Sequence, residues 1–196
     1  MKSVKLLLAA LAMTFAMGAN AQDGKWTVDI KFGSVMCPYT NNNLGFGIPG
    51  RAAGFGLGVG YQKDLKEFGD WKLVWDVASF DYAAPFNSPA DVDFLAVRTG
   101  LRLFTPTFGG GNFRAYVNAN PGYSCALWKE YTLYELWGNG VIVGYQEEEK
   151  MKAHHGFGLA VGAGIQYKEK FSIGYTLQYE TAGKTKNHFA TIGYTF

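Results

Sequence analysis

Eight windows of alternating side chains, a cleavable export signal ahead of them and a last strand that ends on an aromatic residue predict an all-β fold. The predicted architecture is an eight-stranded up-and-down antiparallel transmembrane β-barrel.

The export signal is read first. Lys2 and Lys5 form a positive start, Leu6 to Met17 an apolar core, and Ala19-Asn20-Ala21 a small-x-small site, which predicts cleavage after Ala21. The apolar run is shorter than the ~20 residues a helical membrane span needs. Residues 1–21 are therefore a signal peptide and residues 22–196 one barrel domain. The full chain has 18 Lys+Arg and 16 Asp+Glu, so losing Lys2 and Lys5 leaves 16 against 16. A formally neutral chain argues against nucleic-acid binding, which normally needs a basic excess. Aromatic residues at 16% with 26 Gly, and no helical span after the signal, fit strands that cross a bilayer.

In the first window Trp26, Val28, Ile30 and Phe32 share one face, with Thr27, Asp29, Lys31 and Gly33 on the other. The second sets Phe55, Leu57, Val59 and Tyr61 against Gly54, Gly56, Gly58, Gly60 and Gln62. The third has Trp71, Leu73, Trp75 and Val77 against Lys72, Asp76 and Ala78; the fourth, Leu95 to Leu103 against Arg98, Gly100 and Arg102. Phe113, Ala115, Val117 and Ala119 oppose Arg114, Tyr116, Asn118 and Asn120 in the fifth. The sixth, Phe157 to Tyr167, repeats the Gly face of the second. The seventh places Phe171 to Tyr179 against Ser172 to Glu180, and the eighth places His188 to Phe196 against Thr191, Gly193 and Thr195.

The connections 63–69, 105–111 and 168–170 are fairly short, whereas 37–50, 83–91 and 121–154 are longer and 182–186 is brief. Outer-membrane barrels show this asymmetry, with short turns on the periplasmic side. Closure is required because an unpaired backbone amide in hydrocarbon costs several kcal/mol. A Lys or Arg facing lipid at mid-bilayer costs ~2–4 kcal/mol, so Asp29, Lys31, Lys72, Asp76, Arg98, Arg102, Arg114 and Glu180 must line the interior as a charge network. Trp26, Tyr61, Trp71, Tyr167, Phe171, Tyr179, Tyr194 and Phe196 fall near strand ends on the other face, as interfacial girdles do. Inward Gly leaves room for long side chains in a narrow barrel.

With these features the chain from Gln22 to Phe196 resembles the small outer-membrane barrels of the OmpA/OmpX type and the related outer-membrane β-barrel and porin-like families. The resemblance rests on the signal, the strand count, the loop asymmetry and the terminal Tyr194-Thr195-Phe196. It implies residence in the outer membrane, contact with its lipid and lipopolysaccharide, and recognition of Phe196 by the barrel-assembly machinery. It does not imply one activity, because such barrels serve as adhesins, anchors and enzymes.

A barrel of this size is just wide enough for side chains to fill, so the interior reads as a packed core of ion pairs. The alternative is a narrow channel with mild anion preference. Segment 121–154 is the longest connection and carries Trp128, Tyr131, Tyr134 and Trp137 as candidate contacts with an extracellular partner, followed by Glu147-Glu148-Glu149. The favoured reading runs strands five and six on through it as a hairpin turning at Gly138-Asn139-Gly140, which leaves binding open. Cys37 and Cys125 fall on the same side in an oxidising route, and either an intramolecular disulfide or two free thiols fits them.

Other motifs weigh less. Gly45-Phe46-Gly47-Ile48-Pro49-Gly50 satisfies G-x-G-x-x-G but lacks the helix start that would bind a pyrophosphate. His154, His155 and His188 lack ligand spacing for a metal. A lipid-modifying enzyme would draw on His188 with Ser79, Asp81 or Glu180, yet no motif marks a nucleophile. No cofactor and no catalytic or metal site is expected. The sequence reads as a non-enzymatic envelope protein with a structural or surface-interaction role, with a small porin as the second reading and a lipid-modifying enzyme as the third.

Overall fold

The computed structural model describes residues 24–37, 50–86, 92–138 and 140–196; the signal peptide, most of the G-x-G-x-x-G stretch and Asn139 lie outside them. Eight strands form one closed antiparallel barrel in sequence order, with β8 returning to pair with β1. They are β1 (Lys25–Cys37), β2 (Gly50–Phe68), β3 (Trp71–Pro85), β4 (Asp93–Phe104), β5 (Phe113–Gly138), β6 (Val141–Tyr167), β7 (Phe171–Glu180) and β8 (Thr185–Thr195). Every strand pairs on both sides, which is how a sheet in hydrocarbon satisfies its backbone polar groups.

The wall presents apolar side chains outward. Ile30, Val97, Leu101, Val117, Ile165, Ile173 and Ile192 are all exposed, and along the same strands the alternate positions Lys31, Arg98, Gln166, Ser172 and Thr191 are buried. A soluble fold would invert this pattern; a barrel solvated by acyl chains requires it. Near the short-turn end the rings form a belt: Trp26 stands 5.2 Å from Tyr61, Phe113 4.9 Å from Tyr167, and Phe171 and Phe196 each 4.9 Å from Tyr194.

Three expected boundaries shift. The segment 63–69 is not a loop, because β2 runs on to Phe68 and turns through Gly69 and Asp70, with Gly69 at φ +59°. Its charged residues Lys63 to Glu67 are tolerated in a strand that has left the hydrocarbon. Segment 121–154 is likewise strand: β5 and β6 stay paired from Phe113↔Tyr167 to Gly138↔Val141. The β7–β8 turn is residues 181–184 and β8 begins at Thr185.

A fourth correction concerns parity. The β3 register shifts between Asp76 and Ser79 against β4, and between Tyr61 and Gln62 on the β2 side. A bulge adds one residue to one strand, so Asp76 faces inward below it and Asp81, five positions on, also faces inward above it. Simple alternation would have sent Asp81 into lipid.

Candidate functional site

The interior is layered. At the long-loop mouth, Val35, Ala83, Val92, Phe94, Ala126, Trp128 and Phe189 form an apolar plug, all but buried. Beneath it Arg98, 2% exposed, donates to both Asp81 and Glu180, and Lys31 bonds the second oxygen of Asp81. A lower tier centres on Asp76, which accepts from Gln62 at 2.7 Å and Asn120 at 2.9 Å and faces Arg102 at 3.4 Å. Between the tiers lies a cavity of about 50 Å³ lined by Asp29, Lys31, Asp76, Asp81, Arg102 and Tyr116 among others. Below it Val74, Phe104 and Tyr116 pack together, and Arg102 lies 4.9 Å from the Tyr116 ring.

Glycine makes these side chains fit. A Cβ on Gly58 would stand 2.9 Å from Asp81 Oδ1 and 3.2 Å from Lys31 Nζ, and one on Gly164 would stand 2.7 Å from Tyr116 Oη. The inward glycines of β2 and β6 are therefore the space that the ionic tier and Tyr116 occupy.

The eight charged residues placed inside by sequence parity divide into three groups. Arg98, Lys31 and Glu180 join the upper tier; Asp76, Arg102 and Asp29 the lower one. Lys72 and Arg114 serve the short-turn rim, where Lys72 pairs with Asp64 at 2.6 Å and Arg114 faces Glu169 at 3.6 Å. Lys25 completes this rim at 3.3 Å from Glu169. Partial burial opposes ionisation of Glu169, but Lys25, Lys72 and Arg114 outweigh it and hold its carboxyl below the usual glutamate range. Sequence parity missed Asp81 and Asp64, the first because of the bulge and the second because a charged stretch reads as a loop.

Beyond the wall β5 and β6 form a two-stranded ribbon. Their last partners are Asp93, opposite Leu127, and Glu180, opposite Gly158. From Trp128 to Gly138 the ribbon stands alone, roughly 35 Å at about 3.3 Å per residue. Its flanks are tied by Lys129–Glu149 and Lys152–Glu130 at 2.5 Å each and by Tyr134 donating to Glu148 at 2.9 Å. That bond raises the Tyr134 hydroxyl above the ordinary tyrosine range. The tip is apolar, with Trp137 64%, Val143 67% and Tyr145 65% exposed.

Of the four candidate contacts, Tyr134 and Trp137 lie exposed on this ribbon and the side chain of Tyr131 lies outside the described residues. Trp128 is a correction. It is 3% exposed, turned into the mouth and stacked on His154 at 3.7 Å with planes 3° apart, so it fastens the ribbon's base instead of meeting a partner. His154 Nε2 in turn lies 3.1 Å from Glu130 Oε1.

The remaining candidates separate across the wall. Ser79, Asp81 and Glu180 face the interior, whereas His188 faces outward, bonded to Tyr175, so the hydrolytic grouping drawn from sequence is not assembled. His155 is also outward, 2.5 Å from Tyr123 Oη, on the opposite face from His154. Cys125 is a free thiol that shares the outward parity of Tyr123 and Leu127. The pairing with Cys37 weighed from the sequence falls outside the described residues, because the side chain of Cys37 does.

No protein-family model and no curated protein matches the chain. Among solved structures, Neisserial surface protein A is similar with a TM-score of 0.58 at 14% identity, over 88% of this chain and 95% of that one. The attachment invasion locus protein Ail of Yersinia pestis gives 0.42 at 18% identity over 89% and 100% of the two chains. The outer membrane enzyme PagL gives 0.45 at 12% over 87% and 98%. The first likeness is one of fold: the chain has the architecture of a small outer-membrane β-barrel, and its apolar outer wall suits it to that membrane.

Proposed function

We propose that this protein is a sealed outer-membrane barrel whose work is done outside the cell by the β5–β6 ribbon, in a surface-interaction role. One observation carries the reading: two strands leave the wall and project an exposed apolar tip, while the barrel beneath them is filled. The interior would anchor the ribbon, the surrounding outer-membrane lipid and lipopolysaccharide would solvate the wall, and Phe196 would be read by the assembly machinery during insertion. Replacing residues 129–151 with Asn-Gly tests it. Cells bearing the trimmed barrel should lose binding to glycan and matrix surfaces that cells bearing the full chain retain; unchanged binding defeats the proposal.

A small porin is the second reading, and the interior weighs against it. Among the described residues the apolar plug and the paired ionic tiers occupy the interior around a cavity of about 50 Å³, and Asp81 offsets part of the cationic surplus on which anion preference was expected. Single-channel recording on reconstituted protein should show no steady conductance. Sustained anion-selective current would replace the sealed barrel with the porin.

A further inference from the structure

The outer end of the wall carries a second feature, on the side away from the ribbon and independent of its role. Arg51 is the second residue of β2 and Lys186 the second of β8, and both are exposed on the outward face. Arg51 reaches across β1, donating through Nη1 to Ser34 Oγ at 3.4 Å and to the Lys186 carbonyl at 3.2 Å. This fixes the guanidinium over the β8–β1–β2 seam, and among the described residues its other N–H groups make no further bond. His188, in register with Ser34 on β1, completes the group. Its Nδ1 shares a hydrogen bond with Tyr175 Oη, which holds the ring on the outward face beside this seam.

Among the described residues no acid balances these cations. Among the described residues no carboxylate lies within ion-pair distance of Arg51, Lys184 or Lys186, and the sequence has no Asp or Glu from Ile30 to Lys63 or from Thr181 to Phe196. The nearby acids Asp81 and Glu180 point inward and are already paired, and Asp93, two strands beyond β2, accepts from Tyr82 at 2.6 Å. Cations on the lipid face of a barrel are tolerated only at headgroup depth, and the counter-charge there is lipid phosphate. A planar guanidinium fork beside an ammonium also matches the acceptor geometry of a phosphate monoester, and the His188 ring lies beside them.

We propose that Arg51, Lys186 and His188 form a binding site for the phosphate of an anionic outer-leaflet lipid at the β8–β1–β2 seam. The site would hold a particular lipid at one side of the barrel, opposite the acid-bearing ribbon.

The test uses the full mature protein in nanodiscs of phosphatidylcholine containing a minor fraction of diphosphoryl lipid A, or of the same lipid stripped of both phosphates. Native mass spectrometry reads the lipid that stays bound. The wild type should retain the phosphorylated form about tenfold over the stripped one, a ratio equivalent to about 1.4 kcal/mol. R51Q/K186Q should erase that preference while the heat-modifiable gel shift still reports a closed barrel. If the double variant does not close, K186Q alone carries the test, because the Lys186 ammonium makes no structural bond among the described residues; it should lose about half of that preference in free-energy terms, roughly threefold. Equal retention of both lipids, or a preference that survives the substitutions, overturns the site. Arg51-dependent binding of inorganic pyrophosphate to the detergent-solubilised protein, as tight as that of the lipid, would make it a free-phosphate site and overturn the lipid assignment.

Discussion

Strands β5 and β6 live in two environments, and the contrast between their lower and upper halves organises the molecule. Between Phe113 and Leu127, β5 is flanked by β4 and β6, its inward side chains lock into ionic tiers and its outward ones meet lipid. Above Leu127 each strand has only the other as a neighbour. A two-stranded ribbon in water is marginally stable, so this one depends on what holds its base. The enclosed half is specified by pairing, where each charge answers another; the free half keeps its ends open, and among the described residues its apolar tip packs against nothing beyond the ribbon.

Substitutions can break or sharpen that contrast. The largest effect belongs to Arg98→Ala, which leaves Asp81 and Glu180 facing each other without their common cation. Removing one member of a buried ionic group costs ~3–5 kcal/mol, and urea unfolding followed by gel shift in detergent should show it. A variant as stable as wild type would mean that Lys31 and solvation, not Arg98, offset the charge of those acids.

Next come two tryptophans at the two ends of the ribbon. Trp128→Ala should destabilise by ~3–5 kcal/mol because it empties the mouth and removes the ring stacked on His154. Trp137→Ala, at the exposed tip, should shift stability by no more than ~0.5 kcal/mol while weakening surface binding. Equal stability losses from the two would abolish the distinction between base and tip.

The smallest effect is at the short-turn rim. The Glu169 carboxyl is held below its unfolded value, so its contribution to stability is full above the unfolded value and fades as pH falls through the lower, folded one. Half the side chain is exposed, which keeps the effect small through solvent screening. Melting Glu169→Gln and wild type across the acidic range should show a slightly flatter pH dependence for the variant, with the two curves converging at the acid end.

Much of the wall could be read directly from the sequence. Where each strand sits half in lipid and half in a polar interior, alternation sorts side chains without ambiguity, and Lys31, Arg98 and Arg102 were found that way. Alternation loses its meaning where the environment stops being two-sided. At the mouth both faces turn apolar, as in His188-Phe189-Ala190 and Leu127-Trp128, so the inward Phe189 and Trp128 carry no polar contrast to mark them. That loss of alternation near strand ends is itself the signal that would have revealed the plug. Lys63 to Glu67 failed for the opposite reason, since both faces are polar once a strand leaves the membrane. The seam formed by Arg51, Lys186 and His188 joins residues from opposite ends of the chain, and only closure of β8 on β1 brings them together.

The irregularity in β3 between Asp76 and Ser79 acts as a frame keeper for everything above it. Deleting one residue there would evert the upper half of the strand, turning Asp81 toward the acyl chains and Tyr82 into the space where Arg98 lies. The shared inward direction of Asp76 and Asp81 thus hangs on a single inserted position, and a genetic lesion at Val77 or Ala78 would be felt as an assembly defect rather than as a local scar.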